Sequence, residues 1–97
     1  MARLKIISDT EESADIIRSA ISAEIKRLEV GLDSTNKEIE KFEQQYKIPS
    51  ENFLRNFTAE DLRGGDDEYI RWAGELKIRD RILEDLKRLK NIEYGAN

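Results

Sequence analysis

Cysteine and histidine are both missing from this 97-residue chain. Their absence removes disulfides, thiolate nucleophiles, imidazole acid-base chemistry and zinc sites of the usual ligand types. Proline occurs once, at Pro49, so only there does the sequence forbid a helix to continue. No stretch of about 18 apolar residues occurs, and nothing therefore reads as a membrane span. The opening MARLKIISDTEE carries only a short apolar run before it turns acidic, unlike a secretory signal. A soluble cytoplasmic protein is the expectation. A basic excess is missing too: 21 acidic against 17 basic side chains leave a net charge of −4. Such a chain lacks the field that drives non-specific nucleic-acid binding, although a local basic patch stays open.

What is present is helical periodicity. Charged residues make up 39% and apolar residues 38%, the balance of long solvated helices that each carry one apolar face. Ile25, Leu28, Leu32, Thr35, Ile39, Phe42 and Tyr46 recur at spacings of three and four. Side chains so spaced lie on one face of an α-helix, and another helix must cover that face. Tyr69, Trp72, Ala73, Leu76, Ile82, Leu83, Leu86 and Leu89 form a second stripe.

The chain reads as one domain, residues 1–97, with no repeat or linker dividing it. Residues 1–9 are an extended arm or a short strand centred on Leu4 to Ile7. Ser8 with Glu11 and Asp9 with Glu12 stand at capping-box spacing, so a helix starts near Thr10. It is expected over 10–47, continuous through the weak helix formers Gly31, Asp33, Ser34, Thr35 and Asn36, because the seam keeps phase across them. Pro49 ends it. Ser50 then caps a short corner helix over 50–63, where Thr58 and Asp61 again have cap spacing. Gly64 and Gly65 stop that segment, and Asp66 or Asp67 caps a last helix over 66–94. The fold class is all-α: an antiparallel hairpin of two long helices with a corner helix between them. Because a hairpin covers each stripe on one side only, a homodimer completing a bundle is expected.

Each cluster of reactive or bulky residues has a plain structural reading. Glu60, Asp61, Asp66, Asp67 and Glu68 could gather around a hard cation, but the spacing fits no established loop, and helix capping is the better account. Phe53, Phe57, Tyr69 and Trp72 fit core packing first and a partner contact second. Lys77, Arg79, Arg81, Lys87, Arg88 and Lys90 alternate with Asp80, Glu84 and Asp85, the pattern of a solvated face with pairs such as Glu84 and Arg88. No carboxylate pair stands out for hydrolysis, so no enzyme, cofactor or metal is expected. The candidate partner or dimer contacts are Leu4, Ile6, Ile17, Ile21, Ile25, Leu28, Leu32, Phe53, Phe57 and Trp72.

The second half of the chain resembles a family of small helical proteins from bacteria and archaea regarded as antitoxins of toxin-antitoxin pairs. The resemblance runs in pattern from Ile16 to Leu89, and its distinctive part is Phe42 to Trp72. It rests on Phe42 and Tyr46 closing a long helix, Ser50 opening a short one, Phe53 and Phe57 within that, the turn at Gly65, Asp66 and Asp67, then Tyr69 and Trp72. It implies a protein that binds and masks a cognate toxin, and it assigns no toxin-contact residue. Two other readings remain: a structural coiled-coil homo-oligomer without an inhibitory target, and a small nucleic-acid binder using the basic last helix.

Overall fold

The computed structural model describes residues 4–56 and 65–96. Along them run strand β1 (Lys5–Ser8), helix α1 (Glu11–Tyr46), helix α2 (Ser50–Asn56), helix α3 (Asp66–Lys90) and strand β2 (Glu93–Ala96). The protein is mostly helical, with two long helices, one short helix and a strand pair. It divides into two compact units, one made of Met1–Gly31 with Ile82–Asn97, the other of Leu32–Arg81.

Local chemistry explains where each helix starts and stops. Thr10 caps α1: its Oγ1 accepts from the Ser13 backbone N–H at 3.1 Å, and its carbonyl accepts from Ala14 at 3.2 Å. The expected boxes at Ser8 and Asp9 thus give way to a simple cap at Thr10, whose Oγ1 also donates to Ser13 Oγ at 3.1 Å. α1 then runs unbroken through Gly31. Weak propensity at a few positions costs only about 0.5–1 kcal/mol each, and burial of the stripe outweighs it. Along that stripe Leu28, Thr35, Ile39 and Phe42 are buried while Ile25, Leu32 and Tyr46 are half-buried.

At the end of α1, Lys47 takes a left-handed conformation, φ 55°, and the Ile48 N–H bonds back to the Glu43 carbonyl at 3.2 Å. This six-to-one bond is the Schellman stop, filled here by lysine instead of glycine. Pro49, not Ser50, then caps α2, because its carbonyl accepts from Asn52 at 3.0 Å and Phe53 at 3.1 Å. Ser50 is thereby released for a different task. The Gly65 carbonyl likewise receives the first bond of α3, from Tyr69 at 3.1 Å, and Gly65 has φ 59°. Asp66, Asp67 and Glu68 therefore sit inside the first turn, where they favour the dipole, and are not the cap. Phe57, Thr58, Asp61 and the rest of the expected corner helix beyond Asn56 lie outside the described residues.

The last helix is shorter than expected. α3 ends at Lys90, and residues expected to continue it to Tyr94 form β2, paired in parallel with β1 in the register Lys5 with Glu93 through Ser8 with Ala96. The capture begins where Glu93 N–H donates to the Leu4 carbonyl at 2.8 Å. Ile92 and Tyr94 suit a strand and Gly95 weakens a helix, so a free strand edge in β1 outcompetes one more helical turn. The opening arm is thus paired with the other end of the chain.

The Leu32–Arg81 unit has a core of Ile39, Phe42, Phe53, Trp72 and Leu76, with Tyr46, Ile48, Tyr69 and Ala73 packed against it. Trp72 stacks with Phe53 at 3.9 Å between centroids, with Phe42 at 5.4 Å and with Tyr46 at 5.8 Å. Such a ring buries about 150–250 Å², which makes it the largest single contribution in so small a unit. In the other unit, the buried residues are Ser8, Ala14, Leu28 and Leu86.

Candidate partner-binding surface

Burial sorts the expected contact residues into three groups. Trp72 and Phe53 are wholly inaccessible, and Leu28 is buried at 9%. These three are buried within the chain itself. Ile6, Ile17, Ile21, Ile25 and Leu32 are half-buried, and Leu4 is 60% exposed. Phe57 lies outside the described residues. Ile7, Ile16, Val30, Leu54, Ile70 and Ile78, absent from the expected contact residues, are all large, apolar and exposed. Leu83, placed on the inner stripe, is also exposed, and Ile82 turns inward in its place. Helical phase gives the reason: Ile70 and Ile78 lie off the Trp72 and Leu76 stripe, on the side a wheel centred on that stripe assigns to solvent.

β1 is an edge strand. Its one strand partner among the described residues is β2, so both strands are edge strands of a two-stranded sheet. Leu4 and Ile7 are exposed beside that edge, while Ile6 is half-buried and Ser8 buried. The Ser8 hydroxyl is enclosed without a hydrogen-bond partner. At the other side of this unit, the Arg18 guanidinium lies 4.9 Å from the centre of the Tyr94 ring, tying β2 to α1.

The charged surface is made of local pairs. Arg27 Nη2 donates to Glu24 Oε2 at 2.8 Å; this bond holds the Glu24 carboxyl below its ordinary pKa and raises that of Arg27. Lys41 pairs with Glu38 at 3.0 Å, Arg88 approaches Glu84 at 3.9 Å and Lys90 approaches Glu29 at 3.6 Å. Exposed pairs of this kind add little stability each. An open groove of about 280 Å³ is lined by Glu24, Leu28, Asp85, Arg88 and Leu89. Its charges are of both signs, and Glu24 and Arg88 lie beside Arg27 and Glu84, which gives it no preference for a cation or an anion. Among the described residues, no three side chains of the metal-binding types converge, and no helix is long and apolar enough to cross a membrane.

Gly74 is the remaining anomaly. It stands mid-helix in α3, yet a Cβ built there would meet nothing within 4 Å. Packing among the described residues does not require glycine, which costs a helix about 1 kcal/mol relative to alanine. Comparison with known proteins gives no match: no family model, no curated protein and no solved structure is similar to this chain.

Proposed function

We propose that this chain is a non-catalytic protein-binding module, an antitoxin-like inhibitor that acts in the cytoplasm by covering the active surface of a cognate toxin. The observation that carries the reading is β1: an edge strand of a two-stranded sheet, with Ile7 exposed on it and Leu4 exposed just ahead of it. Edges of this kind accept a strand from another protein, whose backbone supplies affinity while side-chain pockets supply selectivity. A net charge of −4 favours a basic partner, such as a toxin that handles RNA, chiefly through the association rate. The resemblance of Phe42 to Trp72 to antitoxins supports the same reading. In its finer form the long helices make an antiparallel hairpin that a second copy completes into a bundle.

Co-expression with the protein encoded beside it tests the proposal. Relief of that neighbour's toxicity and a co-purifying complex are expected, and Ile7→Asp, which places a charge on the exposed strand, should weaken the complex at least about tenfold. Neither rescue nor complex would remove the antitoxin reading. Self-association without an inhibitory target is the second reading, favoured by the solvent-facing apolar residues around Gly74.

A further inference from the structure

The outer face of α3 in the Leu32–Arg81 unit has a self-complementary pattern. At 3.6 residues per turn, Asp67, Ile70, Gly74, Ile78 and Arg81 fall within about 40° of one line along the helix, and the core residues Trp72 and Leu76 point about 160° away. The exposures agree: Ile70 is 66% and Ile78 47% exposed, and Asp67 and Arg81 are exposed as well. A partner that brings its backbone close to this face would account for both anomalies, an unforced glycine and two solvent-facing isoleucines at its shoulders.

We infer that a second copy of this chain docks here, its α3 antiparallel to the first and the two-fold axis passing at Gly74. Antiparallel pairing about that point sets each residue opposite the one equally far on the other side of Gly74. Ile70 then meets Ile78 of the second copy, and Asp67 meets Arg81 of the second copy, each contact occurring twice. Charge complementarity selects this occupant: a parallel pairing in register would oppose Asp67 to Asp67 and Arg81 to Arg81. Arg71 and Lys77 lie about 60° off the line, at the rim, and the Arg71 guanidinium is turned over the Phe42 ring, 5.6 Å from its centre. The glycines allow the helices to approach closely, as small residues do wherever helix backbones meet.

This inference deepens the self-association reading and uses a different face from the β1 contact proposed for a toxin, so loss of the dimer and loss of toxin binding are read separately. Sedimentation equilibrium of the full chain over a concentration series is the test. The unaltered protein should dimerise. Gly74→Gln has open space around it and a better helix former, so it should keep its helical circular dichroism while the dimer dissociation constant rises at least about tenfold. Arg81→Glu should weaken the dimer several-fold, and adding Asp67→Lys to it should restore the affinity by reversing both charges. A monomer at every concentration overturns the inference. So does a dimer indifferent to Gly74→Gln, which would place the contact elsewhere, or a charge reversal that does not rescue.

Discussion

Trp72 donates its indole N–H to the Ser50 hydroxyl oxygen at 3.0 Å, and Ser50 passes its own proton on to Glu43 Oε2 at 2.8 Å. The Ser50 backbone N–H donates to the same carboxylate oxygen at 2.9 Å. A fully buried indole therefore has its one polar atom satisfied by a residue on α2, itself anchored to α1. This chain of bonds joins α1, α2 and α3 where the aromatic rings stack. Ser50→Ala should leave the indole N–H without an acceptor in a dry site and destabilise the protein by about 1–3 kcal/mol. Urea unfolding followed by the fluorescence of the single tryptophan reads this directly; an unchanged midpoint would show the bond to be dispensable.

Lys47 holds a left-handed conformation that a side chain disfavours. Relief of that strain outweighs the extra freedom glycine gives the unfolded chain, so Lys47→Gly should stabilise by about 0.5–1 kcal/mol. A higher melting temperature is expected. A lower one would mean that the Lys47 side chain has a role in the fold larger than the strain it imposes.

Gly31 lies inside α1, and a Cβ there would stand 3.7 Å from Ile82 Cδ1, an ordinary van der Waals distance. Gly31→Ala should therefore add stability of up to about 1 kcal/mol without displacing Ile82. Thermal unfolding checks it, and a loss of stability would show that the helices are closer at this point than 3.7 Å contact allows.

Glu24 accepts two bonds from Arg27, which lowers its pKa in the folded state. The stabilisation is thus present above the ordinary glutamate pKa and is lost as pH falls through the lowered value. Both groups are open to solvent, so the effect belongs to the titration of one residue more than to global stability. Carboxyl chemical shifts should place the Glu24 midpoint below that of an isolated glutamate, and Arg27→Gln should move it up. A midpoint indifferent to Arg27→Gln would refute the pairing.

The candidate surface was less legible than the core. Hydrophobic spacing picks out Trp72, Phe53 and Leu28 as large apolar groups, but it does not say whether a ring meets its own chain or another. Only packing settles that, by burying all three. Ile7, Ile70 and Ile78 carried the opposite ambiguity: each is a large apolar residue that hydrophobicity alone would place inside, and only the phase of the folded element turns it outward. Gly74 looked like any helix glycine until the space around it proved empty.

The sequence by itself determined the helical content, the continuity of α1 through its weak segment, and the stop at Pro49. These follow from spacing at three and four, from summed propensity and from a residue that cannot donate a backbone bond, all of them local or periodic properties. Tertiary structure alone decided the fate of residues 93–96 and of Ser50. A strand edge at Lys5–Ser8 turned the end of the last helix into β2, across almost the whole length of the chain. A buried indole likewise drew Ser50 away from capping α2. In both cases the deciding partner is an unsatisfied polar group remote in sequence, and no local pattern records which residue will satisfy it.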